Sequence, residues 1–367
     1  MDRYRFLISG GGTGGHIYPA LAIADELRRR NPDAKFLFVG AKDRMEMEKV
    51  PQAGYEIRGL WITGIARKLT WKNLLFPIKL LSSILKSYRI LREFKPTLVI
   101  GTGGFASGPV LSMAAMLGYP YVLQEQNSFA GVTNKLLSRR AERIFVAYEH
   151  MDQFFPKPSL LLSGNPVREA LVSELPDKEK SKEALRLLPN VPVLLILGGS
   201  LGARTINKLM AIKAKSIQKL GYQLLWQCGK GYYEGYKHLE SEYVTILPFI
   251  TDMAQAYAAA DLIVSRAGAG SVSELSLVGK PVLFIPSPNV AEDHQTKNAQ
   301  AMVAKGAALM LRESELPSQF DSVFSELIAE PQRMQAMGAR FLAESKPMAT
   351  RKIVDEIEKL IHVNHAT

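Results

Sequence analysis

The sequence predicts an α/β protein built from two doubly wound, parallel-sheet domains facing each other across a cleft. Three observations carry this. Short, wholly apolar runs alternate with helical stretches through most of the chain. Those runs lack the in–out alternation of a sheet with one wet face, so helices must cover both sides. The pattern then restarts at Val191, and 367 residues suffice for two separate cores.

Taken in order, Tyr4–Ile8 reads as the first strand and Ile17–Arg30 as a helix with apolar Leu21, Ile23, Ala24 and Leu27. Strands are expected at Phe36–Val39, Thr97–Ile100, Tyr121–Leu123, Arg143–Ala147 and Leu160–Leu162. The second round opens with a strand over Pro192–Leu197 and a helix over Thr205–Leu220. Further strands are expected at Tyr222–Trp226, Val244–Leu247, Leu262–Val264 and Val282–Ile285. The linker is placed in Gly164-Asn165-Pro166-Val167-Arg168. This divides the chain into domains over 1–163 and 164–340, followed by a terminal segment, 341–367, expected to return as a helix to the first domain. Ligands belong at the carboxyl ends of the strands, between the domains.

Composition narrows the class. At 47% hydrophobic and 22% charged residues, the chain is neither disordered nor fibrous. A single cysteine, Cys228, excludes a disulfide framework and a cysteine-rich metal site, which fits a reducing compartment. The first residues show no signal peptide, and no apolar run approaches the roughly 18 residues of a spanning helix. The net charge of +11 calls for an anionic partner. Seven basic residues and no acid lie between Gly64 and Arg92, which places most of that excess in one segment.

Four glycine-rich turns follow apolar strands and precede helices: SGGGTGGH (9–16), GTGGFASG (101–108), GGSLGAR (198–204) and SRAGAGSVSE (265–274). Glycines there admit positive φ, and a helix N-terminus offers unpaired N–H groups to an anion. Gly10, Gly12 and Gly15 fit the dinucleotide pattern GxGxxG. That pattern also needs an acid at the tip of the second strand, and none appears before Asp43. Glu274 could instead hold a ribose, or be a solvated helix-start glutamate.

The segments GGGTGGHIYPALAIA (10–24), GTGGFASGP (101–109), EQNSFAGVTNKLL (125–137), GNPVR (164–168), GGSLGARTIN (198–207), FITDMAQAYAAADLIVSRAGAGSVSEL (249–275) and EDHQTKNA (292–299) together resemble the MurG family of peptidoglycan N-acetylglucosaminyltransferases. The resemblance spans both halves of the chain. It implies the GT-B architecture of two Rossmann-like domains, the first for a lipid acceptor and the second for a UDP-sugar. It assigns Thr13, Gly14, Gly15, Asn127, Arg168, Ser200, Phe249, Ile250, Glu274 and Gln295 to UDP-N-acetylglucosamine. Gly14, Gly103 and Gly104 fall to the acceptor diphosphate.

The implied reaction is one inverting displacement, in which an acceptor 4-hydroxyl attacks the donor's anomeric carbon and UDP leaves. His16 is the candidate base, with a cap or sugar-binding role as the alternative. Glu125 could assist or orient. No cofactor is required and no metal site is expected, although a divalent ion could ride on the diphosphate. The implied partners are UDP-N-acetylglucosamine, lipid-linked MurNAc-pentapeptide, an anionic inner-membrane surface and other cell-wall synthesis and division proteins, but not nucleic acid. The expected location is the cytoplasmic face of the bacterial plasma membrane.

Membrane contact is assigned to Trp61, Trp71, Lys72, Phe76 and Lys79. Leu74, Leu75, Ile78, Leu81, Leu85, Tyr88 and Leu91 follow helical spacing, and much of that stripe reads as core. Lys72, Lys79 and Lys86 recur elsewhere around the helix, suited to headgroups. The alternatives are a UDP-N-acetylglucosamine 2-epimerase or another GT-B glycolipid synthase, an NAD- or FAD-dependent oxidoreductase, and a non-catalytic nucleotide-sugar binder.

Overall fold

The computed structural model describes residues 4–64, 75–167, 175–199, 201–290 and 293–366. It divides into two compact units, Met1–Val167 with Lys346–Thr367, and Arg168–Ser345.

Unit 1 is a seven-stranded parallel sheet of order β3-β2-β1-β4-β5-β6-β7. Its strands are β1 (Arg5–Gly10), β2 (Lys35–Ala41), β3 (Ile57–Leu60), β4 (Leu98–Gly103), β5 (Tyr121–Glu125), β6 (Arg143–Val146) and β7 (Leu160–Leu162). Among the described residues five helices join them: α1 (Gly14–Arg30), α2 (Glu46–Gln52), α3 (Phe76–Phe94), α4 (Ser107–Leu117) and α5 (Val132–Leu137). Phe6 and Ile8 of β1 pack toward α1, while Leu7 packs into the cluster that includes Ile90 and Leu91 of α3. Alternate residues of one strand therefore feed two cores, as its unbroken apolar run requires.

The C-terminal helix (Ala349–Ala366) joins unit 1. Ile353, Val354, Ile357 and Ile361 are buried among Phe6, Ile8, Ile23 and Leu27. Each such side chain contributes about 1.5–3 kcal/mol on burial, so the helix is a full part of that core. Arg30 reinforces the contact, donating to Glu26 at 2.7 Å, Asp355 at 2.5 Å and Glu358 at 2.9 Å.

Unit 2 is a six-stranded parallel sheet of order β10-β9-β8-β11-β12-β13. The strands are β8 (Val193–Leu197), β9 (Gln223–Gln227), β10 (Val244–Leu247), β11 (Leu262–Ser265), β12 (Val282–Phe284) and β13 (Leu309–Met310). Its helices are α6 (Lys178–Ala184), α7 (Arg204–Lys219), α8 (Tyr233–Tyr236), α9 (Met253–Ala259), α10 (Ala269–Val278), α11 (His294–Val303), α12 (Leu316–Ala329) and α13 (Pro331–Ala343). Trp226, Phe320 and Phe324 are the large buried side chains of its main core.

Strand order reverses between β1 and β4 in unit 1 and between β8 and β11 in unit 2. The four glycine turns follow these four strands. Each unit thus has its glycine turns at its topological switch point, where doubly wound sheets bind ligands.

Four expectations need revision. Helix α1 starts at Gly14, not Ile17, so Gly14, Gly15 and His16 form its first turn. The strands β3 and β13 escape the pattern because they are short edge strands, IRGL and LM, each paired on one side only. The first unit runs to Val167 rather than 163, so the division falls inside the expected linker, 164–168. Asn165 is buried, accepting from Gln124 Nε2 at 2.9 Å and donating to the Gln126 carbonyl at 3.0 Å, which carries unit 1 to Val167.

The fourth revision concerns α3. Ile78, Leu81 and Leu85 are 57%, 60% and 55% exposed, and Leu75 and Tyr88 also face outward. The buried face is Ser83, Ser87, Ile90 and Leu91. Small serines allow close approach: Ser83 Oγ donates to the Trp61 carbonyl at 3.2 Å, and Ser87 Oγ to the Ser83 carbonyl at 2.7 Å. Lys86 folds back and donates to the Gly59 carbonyl at 2.8 Å. Partial burial there pushes its ammonium below the usual lysine range.

Candidate active site

In unit 1, β1 and β4 are paired neighbours, so their glycine turns interlock. Gly103 and Gly104 hold φ of 93° and 83°, which favours glycine. Space demands it as well. A Cβ at Gly104 would lie 2.3 Å from the Gly11 carbonyl oxygen, and one at Gly103 would lie 3.0 Å from His16 Nδ1. Thr102 Oγ1 donates to the His16 carbonyl at 2.8 Å, tying the two turns together. Thr13 caps α1 in an extended conformation, and the first turn of that helix carries no acid. An anion meeting Thr13–Gly15 would find helix-end N–H groups without local repulsion from that turn.

His16 has a defined tautomer. Its Nδ1 lies 2.8 Å from the Thr102 carbonyl oxygen and 3.0 Å from Gln126 Oε1. A carbonyl oxygen only accepts, so Nδ1 carries the hydrogen and Nε2 of the neutral ring carries the lone pair. Gln126 is held in turn through its Nε2, which donates to the Thr102 carbonyl at 2.6 Å. The imidazole is thus oriented as a base that presents Nε2.

Glu125 ends β5 and is buried. Its oxygens accept from Asn127 N and Asn127 Nδ2 at 3.1 Å, Gly131 N at 3.0 Å and Asn134 Nδ2 at 2.9 Å. Four donors converge on one carboxylate, which suits it to hold the 126–134 loop and orient Asn127 rather than to move protons. Asn134 Oδ1 is buried without a hydrogen-bond partner, which leaves one acceptor unsatisfied beside this network.

In unit 2, the turn after β8 interlocks with the one after β9. A Cβ at Gly202 would lie 2.0 Å from the Cys228 carbonyl oxygen, and Gly202 has φ of 79°. Gln227, at the end of β9, donates from Nε2 to the Gly199 carbonyl at 3.0 Å and accepts the Ile250 N–H at 2.8 Å. It therefore couples a glycine turn to the segment of Phe249 and Ile250, both expected at the UDP-sugar. With its N–H so engaged, Ile250 has its carbonyl to offer a hydrogen-bond donor. Phe249 beside it is exposed, and Ile250 is buried.

Glu274 lies on α10, and Tyr257 OH is 3.4 Å from its Oε2. Gln295, on α11, accepts the Ser287 N–H at 2.8 Å through Oε1, which makes its NH2 the group to offer a sugar hydroxyl. Arg266 donates to the Ile285 carbonyl at 2.9 Å and to Glu313 at 2.5 Å, bracing the turn before α10. Among the described residues, no group of three or more His, Cys, Asp or Glu is placed to hold a metal ion. Arg168, Ser200, Trp71 and Lys72 lie outside the described residues.

The sequence pattern described as "Glycosyltransferase family 28 N-terminal domain" matches residues 6–146, and that described as "Glycosyltransferase family 28 C-terminal domain" matches 193–355. A Flavobacterium psychrophilum protein is 56% identical over 98% of this chain and 99% of its own length. A Christiangramia forsetii protein is 54% identical over 98% of each. Both are named UDP-N-acetylglucosamine--N-acetylmuramyl-(pentapeptide) pyrophosphoryl-undecaprenol N-acetylglucosamine transferase. The crystal structure of Acinetobacter baumannii MurG superposes with a TM-score of 0.78 at 30% identity, covering 98% of this chain and 100% of that one.

The chain belongs to the MurG family. It is a glycosyltransferase of family 28 with the GT-B fold, and the expected fold class is confirmed. A Neisseria meningitidis UDP-GlcNAc 2-epimerase superposes at TM-score 0.65 but is 17% identical, which carries the fold alone. Within this MurG-family chain, Gln126, Thr102 and Gln227 position assigned residues yet were not singled out from the sequence. Gln126 lay inside the EQNSFAG motif. Nothing in local sequence marks the main-chain oxygen of Thr102.

Proposed function

We infer that the chain transfers N-acetylglucosamine from UDP-N-acetylglucosamine to the 4-hydroxyl of the MurNAc in undecaprenyl-diphospho-MurNAc-pentapeptide. The substrates follow the names of the 56% and 54% identical relatives. The observation that carries the chemistry is His16, whose Nδ1 is pinned 2.8 Å from the Thr102 carbonyl. Its Nε2 takes the proton as the hydroxyl oxygen bonds to the anomeric carbon and the bond from that carbon to the UDP oxygen breaks. The carbonyl at Nδ1 then favours the imidazolium that results. Arg168 and the N-terminus of α7 stabilise the departing diphosphate. No cofactor takes part, and a divalent ion can accompany the diphosphate without being demanded.

The acceptor is lipid-linked, and in this reading α3 docks on an anionic bilayer at the cytoplasmic face. Exposed Ile78, Leu81, Leu85 and Tyr88 supply apolar contact, beside Arg89 and Arg92. Trp61 is exposed and has the Lys79 ammonium 5.7 Å from its ring centre; Phe76 is half-buried at the helix start. No described helix is long and apolar enough to cross a membrane.

The test is transfer of labelled N-acetylglucosamine to a lipid-linked muramoyl-peptide in detergent or vesicles. Label moving to the lipid supports the reading. Turnover of UDP-N-acetylglucosamine without acceptor would instead point to an epimerase, and UDP binding without transfer to a non-catalytic binder.

A further inference from the structure

A dinucleotide turn expects an acid at the tip of the second strand, pointing out toward a ribose. Here β2 ends in Gly40-Ala41, and the acid comes later and turns inward. Glu46 opens α2 and is fully buried. Both its oxygens accept the Gly12 N–H at 3.1 Å, and Oε1 also accepts the Ala41 N–H at 3.0 Å. Glycines on either side provide the room. A Cβ at Gly11 would lie 2.2 Å from Glu46 Oε1, and one at Gly40 would lie 2.5 Å from Glu46 Cγ. Gly12 has φ of 87° and sits in the turn after β1, at the switch point, where a dinucleotide fold seats its phosphate.

We propose that Glu46 is a resident anion in the phosphate seat of the first glycine turn. It holds the turn in place with no ligand bound and keeps a phosphate from Gly12. An incoming phosphate oxygen would meet a carboxylate and find the Gly12 N–H already engaged. Phosphates are thereby confined to the N–H groups beyond Gly12, at the start of α1, in line with His16. Glu46 is thus a positioning and specificity residue, set against a dinucleotide phosphate at a turn with the GxGxxG spacing. This inference stands on the geometry of unit 1; only the UDP used in its test to block the second unit draws on the transferase reading.

The full chain, with UDP saturating its nucleotide site, can be titrated with inorganic pyrophosphate as wild type and as Glu46→Gln. Calorimetry reads affinity, and the amide resonance of Gly12 reads place. In wild type the Gly12 amide should not move. In Glu46→Gln, which keeps the volume and removes the charge, it should shift, and pyrophosphate should bind at least about tenfold more tightly. A purely structural role would lower the melting temperature of Glu46→Gln without giving it this affinity. A folded Glu46→Gln protein that binds pyrophosphate no better than wild type overturns the proposal. Should that variant not fold, wild type decides: a Gly12 amide protected from exchange and unmoved by pyrophosphate supports the proposal, and one that shifts overturns it. No turnover is measured, so failure of sugar transfer would leave each of these outcomes intact.

Discussion

At His16, a main-chain carbonyl 86 residues away decides which ring nitrogen bears the hydrogen. That makes the residue's two possible roles separable. As base, His16→Ala should lower kcat by about 100- to 10,000-fold with little change in donor KM. Glu274, whose expected ribose contact is made equally in ground and transition states, should behave oppositely: Glu274→Ala raises donor KM roughly tenfold and leaves kcat within about threefold. Steady-state transfer kinetics on both variants check the pair. A His16→Ala enzyme with nearly full kcat would remove the base assignment and leave a binding role. Glu125 carries four hydrogen bonds, so its loss is expected to act through the loop it holds.

Among the elements, α1 and the C-terminal helix form one packed and ion-paired layer. Glu26, on α1, accepts from Arg29 at 2.7 Å and 2.8 Å and from Arg30 at 2.7 Å. The Arg29 hydrogen bond, opposed by burial and aided by Arg30, holds the Glu26 carboxyl below its ordinary value of 4.5. A depressed carboxyl stabilises the fold above the unfolded value, and this contribution is lost as pH falls through the folded one. Glu26→Gln should therefore cost about 1 kcal/mol near pH 7, and the difference from wild type should shrink as pH drops below 4.5. Urea unfolding at neutral and acid pH measures this. A difference that stays constant across that range would assign the effect to packing.

For the molecule as a whole, the proposed bilayer docking joins the net charge of +11 to the outward apolar face of α3. Charge attracts over about 10 Å at 0.1 M salt, whereas apolar contact does not depend on it. Sedimentation with phosphatidylglycerol vesicles should therefore fall as salt rises from about 0.05 to about 0.5 M. The double variant Leu81→Glu, Leu85→Glu should lose most vesicle binding at any salt. Its melting temperature should not change, because both side chains are already exposed. Undiminished binding by that variant would move the docking surface elsewhere.

The two rounds of strands and helices, the four glycine turns and the family are all legible along the chain. These are local signals: apolar runs set strands, and glycines mark turns wherever the chain finally goes. Candidate site residues could be named where they lay in such motifs, as His16, Asn127 and Glu274 did. What depends on distant pairing emerges only once the chain has folded. The apolar stripe of α3 read as core from its spacing, yet Ser83 and Ser87 give the closer approach to the strand layer and turn the leucines out. The acid that engages the first glycine turn is Glu46, which lies beyond the tip of β2 and accepts the Gly12 N–H. His16 acquires its tautomer from Thr102 because β1 lies beside β4 in the sheet, an adjacency that periodicity along the chain does not encode.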